Sequence, residues 1–178
     1  MKKLWIVLTV LVLCCGSLMA AEKGPAIKAE IRNLSPFTYL CYEGKGPYAG
    51  ILEGERILLA EFAAAGLKPA DKEITLYWNS PLYVKPADLK WDVGFPVPTN
   101  QKDTGRLKAK KYTYKKIAVA LHVGSYLTTY ITINALYEWI AKNGHKTIGG
   151  PCLERYFDDP DSTVPDAQKR TEIWIPIQ

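Results

Sequence analysis

The stretch Thr171-Glu172-Ile173-Trp174-Ile175-Pro176-Ile177 alternates strictly. Successive side chains of a strand point to opposite faces, so Thr171, Ile173, Ile175 and Ile177 share one face and Glu172, Trp174 and Pro176 the other. The first face is plain core. The second carries a carboxylate two residues from an indole, a pairing suited to an apolar site that recognises positive charge or activates water. An earlier stretch, Asp92-Val93-Gly94-Phe95-Pro96-Val97, follows the same pattern at an offset of 80, which makes Asp92 the counterpart of Glu172.

The correspondence continues outward from these two strands. Gly46-Pro47-Tyr48 recurs as Gly124-Ser125-Tyr126 at an offset of 78, and a glycine ends the following apolar run 20 residues later in both cases, at Gly66 and Gly144. The step from 78 to 80 means that two residues are gained in the intervening loop. A repeat of this kind predicts two copies of one supersecondary unit that must share a core. Each unit reads strand, helix, strand, strand, over about 26–98 and about 108–177, with a polar linker at 99–105. The expected fold class is α+β: two pseudo-symmetric units side by side about an approximate two-fold, forming an antiparallel sheet with two main helices.

Within the first unit, residues 26–33 read as an extended segment with Ile27, Ala29 and Ile31 on one face, continuing past Pro36 to about Glu43. Gly44-Lys45-Gly46-Pro47 breaks it, and a helix follows over about 48–65 with Ile51, Leu52, Leu58, Leu59 and Phe62 on one side. Short strands are predicted at 74–78 and 89–97. In the second unit, 117–123 is a strand and 126–143 a helix whose buried stripe is Tyr130, Ile133, Tyr137 and Ile140, flanked by Leu136 and Trp139. Residues 151–158 form the next strand, with Glu154 and Tyr156 on one face and Leu153, Arg155 and Phe157 on the other. The loop 159–166 is rich in turn formers and is expected to be exposed.

The beginning of the sequence bears on location. Lys2 and Lys3 precede an apolar run at 4–13, and Gly16-Ser17-Leu18-Met19-Ala20-Ala21 follows, the three-part pattern of a secretory signal peptide at 1–21. The run is short for a permanent span, which needs about 20 residues. The expectation is an exported domain over 22–178, periplasmic or extracellular, with no stable membrane insertion after cleavage. Cys14 and Cys15 offer a lipid-anchored alternative. About 157 residues then remain, the size of one domain, with 21 basic and 18 acidic residues once Lys2 and Lys3 are removed. So mild a charge argues against a nucleic-acid partner. The run Lys108, Lys110, Lys111, Lys115 and Lys116 reads as a solvated edge. His122 and His145 have no metal-ligand spacing with each other or with Cys41 and Cys152, so neither metal nor cofactor is expected. Spacing does not decide whether the two cysteines pair.

Several stretches together resemble the GyrI-like small-molecule-binding domain, also called the AraC-type effector-binding domain. They are His122-Val123-Gly124-Ser125-Tyr126, Leu136-Tyr137-Glu138-Trp139-Ile140 with Asn143-Gly144, Gly150-Pro151, Glu154-Arg155-Tyr156, Asp159-Pro160, Val164-Pro165 and the final Thr171 to Ile177 strand. The resemblance implies a pocket between the two units, lined by aromatic rings and reached by a glutamate of the last strand, that takes a bulky aromatic and often cationic ligand. The candidate residues are Glu172 with Trp174, Tyr126, Trp139, Tyr156 and Tyr48. A hydrolase of electrophilic, cyclopropane-type compounds with Glu172 as general base is the first alternative, since a desolvated carboxylate serves binding and proton abstraction alike. An envelope module without a pocket is the second. In these readings Glu154 is a surface partner of Arg155 or a lysine, and His122 is either a satisfied strand-end histidine or a catalytic one.

Overall fold

A computed structural model describes residues 27–159 and 162–178. The leader, the alternative anchor at Cys14 or Cys15, and Pro160 and Asp161 of the polar loop lie outside these residues. The described chain runs β1 (Ala29–Asn33), β2 (Phe37–Lys45), α1 (Ile51–Ala64), β3 (Ile74–Tyr77), β4 (Lys90–Val97), β5 (Lys108–Tyr112), β6 (Lys116–Val123), α2 (Thr129–Lys142), β7 (Cys152–Tyr156) and β8 (Arg170–Pro176). One eight-stranded antiparallel sheet has the order β1-β6-β8-β7-β3-β4-β2-β5. The fold is α+β, with both helices on one face of the sheet.

Strand register carries the repeat further than spacing could. Cys41 pairs with Gly94, and Val119 pairs with Trp174. Ile31 pairs with Ala118, while Leu40 pairs with Ala109. These are matched pairs under the offsets 78 and 80. At the seam between the units Thr75 pairs with Glu154, an offset of 79. One of the two gained residues therefore lies before β7 and the other between β7 and β8.

The first extended segment is not continuous. β1 and β2 are separate strands near opposite ends of the sheet, because Leu34-Ser35-Pro36 turns the chain and proline cannot extend a ladder. β1 pairs with β6 of the second unit, and β5 pairs with β2 of the first, so the units exchange edge strands. The exchange also sets the shape. β1 and β2 are six strand steps apart, roughly 29 Å in a flat sheet. The connector from Asn33 to Phe37 reaches only about 14 Å. The sheet must therefore roll. Leu34 N donates to Lys115 O at 2.8 Å where the two exchange connectors meet.

The inner, helix-free face of the roll is filled. Tyr39, Cys41, Ile74, Leu76, Tyr112, Ile117, Val119, Leu153 and Trp174 are buried there. Phe37 reaches Trp174 with ring centroids 6.4 Å apart although β2 and β8 are four strands apart. On the outer face Leu58 and Phe62 of α1 pack with Leu40, Trp91 and Val93, and Leu136 and Ile140 of α2 pack with Ala118, Ala120, Ile173 and Ile175. The predicted helix stripes are thus partly displaced. Leu52 and Leu59 on α1 and Tyr130 and Tyr137 on α2 are exposed, and Thr129, Thr132 and Ala135 take buried places instead. Leu52 and Tyr130 are repeat counterparts, as are Leu59 and Tyr137, so both helices turn the same side away from the sheet. Cys41 lies on the inner face and Cys152 on the outer, three strands apart in the sheet, and they do not pair. No described helix is long and apolar enough to cross a membrane.

Candidate functional site

α1 packs mainly on β2 and β4, and α2 mainly on β6 and β8, which leaves the outer face of β3 and β7 as the floor between the helices. Alternation puts Thr75 and Tyr77 of β3 and Cys152, Glu154 and Tyr156 of β7 on that floor. The turns that lead into the helices, Tyr48–Gly50 and Tyr126–Thr128, each supply one further tyrosine. Tyr48 meets Tyr77 edge to face at 5.0 Å, and Tyr126 meets Tyr156 in the same way at 5.1 Å. These pairs are repeat counterparts. So are their anchors, since the Tyr48 hydroxyl donates to Asn79 O at 2.6 Å and the Tyr126 hydroxyl to Asp158 O.

Between the two pairs the symmetry breaks. The seam position is Thr75 in one unit and Glu154 in the other, and both inner tyrosines turn to the carboxylate. The Tyr156 hydroxyl donates to Glu154 Oε2 at 2.6 Å and the Tyr77 hydroxyl to the same atom at 3.2 Å. Glu154 is only 3% exposed, which corrects its reading as a surface partner. Burial raises its carboxyl pKa, outweighing the hydrogen bonds from Tyr156, Thr129 and Tyr77 and the field of His122. Burial, followed by the Glu154 charge, keeps Tyr77 and Tyr156 neutral well beyond the usual range. Tyr48 and Tyr126 are pushed up to about 12, again chiefly by burial. Acidic groups gather at one end of this floor: Glu73 lies near Glu55 and Asp159, and Tyr126 feels Asp158, Asp159 and Asp166.

Three of the candidate residues, Tyr48, Tyr126 and Tyr156, therefore come together. Glu172 and Trp174 do not join them, because their strand face is the inner one and the sheet stands between. Glu172 is 8% exposed, accepts from Arg32 Nη1 at 2.9 Å and from the Trp174 indole at 2.8 Å, and has Arg155 at 3.7 Å. Asp92, its counterpart, accepts from Lys110 at 2.9 Å, the Trp78 indole at 2.9 Å and the Tyr39 hydroxyl at 3.1 Å. Arg32 and Lys110 are themselves counterparts on the exchanged edge strands, so each carboxylate is neutralised by a cation from the other half. Trp139 stacks on His145 at 6.1 Å and lines no part of the floor. His122 is a satisfied histidine: Nδ1 lies 2.8 Å from Thr132 Oγ1, and Nε2 lies 3.2 Å from both Thr128 Oγ1 and Ser125 O. Among the described residues no three ligating side chains cluster as a metal site.

Glu154 and Tyr77 are the site residues that sequence reasoning missed. The signal available was the seam itself: the repeat aligns Thr75 with Glu154, a lone carboxylate where the two units must meet.

The chain matches the family model described as the GyrI-like small molecule binding domain over residues 28–178. No curated protein matches the sequence. Among solved structures, EcmrR in a complex with DNA aligns with a TM-score of 0.73 at 17% identity, covering 85% of this chain and 57% of that one. A hydrolase from Listeria innocua aligns at 0.63 and 16% identity, covering 86% and 93%. The protein SAV2435, bound to tetraphenylphosphonium, aligns at 0.62 and 14% identity, covering 85% and 94%. At such identities the likeness is one of fold.

Proposed function

This chain belongs to the GyrI-like small-molecule-binding family, and from that membership we propose that it binds a small organic molecule on the floor between α1 and α2, with Glu154 as the anchoring group. The observation that carries the reading is the convergence of the Tyr77 and Tyr156 hydroxyls on one buried carboxylate, flanked by the two matched tyrosine pairs. Four phenol rings supply flat apolar area and negative faces, which favour a bulky aromatic ligand and attract a cation by roughly 0.5 to 2 kcal/mol each. The acidic groups around Tyr126 favour the same sign of charge. A cation beside Glu154 favours the ionised carboxylate that burial disfavours, so binding tightens as pH rises through the range in which the free protein gives up that proton.

Tetraphenylphosphonium, the compound held by SAV2435, is the first probe. Titration calorimetry of Glu154→Gln is expected to show a loss of about tenfold or more in affinity, the worth of a charged hydrogen-bonding partner. Glu172→Gln, on the far face of the sheet, is the matched control and should bind as the unaltered protein does. A loss in the Glu172 variant with none in the Glu154 variant would place the site on the inner face and end this reading.

Hydrolysis is a second reading of the same geometry, favoured by a carboxyl of raised pKa within 2.6 Å of a tyrosine hydroxyl. In it Glu154, rather than Glu172, takes the proton of an attacking water. Turnover of an electrophilic aromatic compound, abolished in Glu154→Gln, distinguishes catalysis from binding. We further read the protein as exported, on the pattern of Lys2, Lys3, the apolar run and Ala20-Ala21. Cell fractionation with a tagged C-terminus checks this, and recovery in the cytoplasm would refute it.

A further inference from the structure

The duplicated fold supplies its own control for what each half retains on the inner face. Beyond the filled core, at the end of the first unit, Glu43, Gly44, Lys45, Trp78, Asn79, Lys90 and Lys110 line an open concavity of about 670 Å³, within the size range of small-molecule sites. Lys45 and Lys90 are direct cross-strand partners there. Like charges placed opposite each other across a ladder destabilise a sheet. Among the described residues their one ion pair is Lys45 with Asp88 at 3.9 Å, itself exposed, while Glu43, which also lines the concavity, is held by Lys110 at 2.6 Å. Lys90 has no ion-pair partner among the described residues.

The corresponding end of the second unit has resolved each of these features. The counterpart of the lysine pair is Val123 opposite Arg170, and Arg170 is held by Asp158 at 2.9 Å. The counterpart of Trp78 is Phe157, whose ring is covered by the Arg155 and Arg170 guanidiniums at 4.8 and 5.5 Å. Trp78, by contrast, is 39% exposed as a residue. Its indole N–H is fixed by Asp92, and Lys110 lies 5.6 Å from its ring centre. One end of the molecule therefore presents a clamped, partly open ring beside Lys90, which makes no ion pair among the described residues, and Lys45, whose one pair is long and exposed, while the other end holds Arg170 on Asp158 and covers its ring.

We propose that this concavity is a second binding site, separate from the tyrosine floor, for an organic anion carrying a planar ring. The ring lies against Trp78 and its carboxylate or phosphate sits between Lys45 and Lys90, relieving their repulsion. The test follows the Trp78 indole N–H resonance by NMR, assigned with Trp78→Phe, during titration with naphthoate, naphthyl phosphate and the neutral naphthalenemethanol. Both anions are expected to shift the resonance to saturation, and the neutral alcohol to bind at least about fivefold more weakly. The double variant Lys45→Gln with Lys90→Gln should lose about tenfold for the anions and nothing for the alcohol, with the spectrum otherwise unchanged. Both lysines are exposed, so the fold does not depend on them. A larger gain for naphthyl phosphate than for naphthoate would assign the site to phosphate esters, and the reverse to carboxylates. Equal binding of anion and alcohol, or unchanged anion binding in the double variant, would overturn the proposal. Tetraphenylphosphonium titrations of the same variant report the tyrosine floor alone, so failure of one site is not read as failure of the other.

Discussion

At the scale of single residues, the two units have filled one position with opposite chemistry. In the second unit His122 sits among Thr128 and Thr132 and is satisfied by them. Their counterparts in the first unit are Gly44, Gly50 and Gly54, and the Trp91 ring occupies the space that the three missing side chains leave. A Cβ at Gly54 would stand 2.7 Å from Cζ3 of Trp91, a ring that is itself buried. Alanine within a helix is otherwise favoured over glycine by about 1 kcal/mol. Here the collision outweighs that gain, and Gly54→Ala is expected to destabilise the protein by roughly 1 to 3 kcal/mol, as overpacking does. Urea denaturation measures it, and a variant of raised stability would show that Trp91 moves freely. This substitution of an indole for a polar cluster could not be read from the chain, because Trp91 and Thr171 each fit a strand pattern equally well. Glu154 escaped for a related reason. Alternation placed it with Tyr156 on one face, but nothing local says which face of a strand becomes the inside of a roll.

Between elements, what stood in the sequence was the order within each unit; what did not was the partner of each edge. The spacing of Gly46 and Gly66 against Gly124 and Gly144 located both helices, and the alternation of Asp92 to Val97 and Thr171 to Ile177 located the matching strands β4 and β8. β1, however, looks like the natural forerunner of β2, and only long-range pairing reveals that it belongs beside β6. The exchange is secured electrostatically, by Arg32 on Glu172 and Lys110 on Asp92. The two clamps are unequal. Glu172 keeps Arg155 nearby if Arg32 is lost, whereas among the described residues Lys110 is the sole cation paired with Asp92, a carboxylate with 3% side-chain exposure. Lys110→Met should therefore cost about 2 to 4 kcal/mol and Arg32→Met about 1 kcal/mol, since removing one partner of a buried pair strands the other. Denaturation midpoints of the two variants give the comparison. Equal losses, or a larger loss for Arg32→Met, would mean that the clamps do not set the stability of the exchanged strands.

For the whole molecule, the docking of the two units has a consequence for pH. Glu73 immediately precedes β3 in the first unit, yet the charges near it come from both: Glu55 on α1 and Asp159 in the loop after β7. Burial first, and then these two like charges, raise its carboxyl from 4.5 to about 8. A group that holds its proton more tightly when folded makes the folded state richer in protons, so stability falls as pH rises across the interval. The contribution from Glu73 is complete below about pH 4.5 and is lost as pH climbs through about 8. Glu154, also raised by burial, acts in the same direction. Asp71, lowered by hydrogen bonds from Arg155 and its own neighbour against the pull of burial, acts oppositely and only in more acidic solution, below its ordinary 3.8. The protein should thus lose stability between mildly acidic and mildly basic conditions, where many proteins are level. Glu73→Gln removes the titrating group, keeps its size, and should flatten the profile while raising stability on the basic side. Urea midpoints measured at intervals from about pH 5 to about pH 9 decide it: parallel profiles for the variant and the unaltered protein would mean that Glu73 is solvated, and that Glu55 and Asp159 do not act on it.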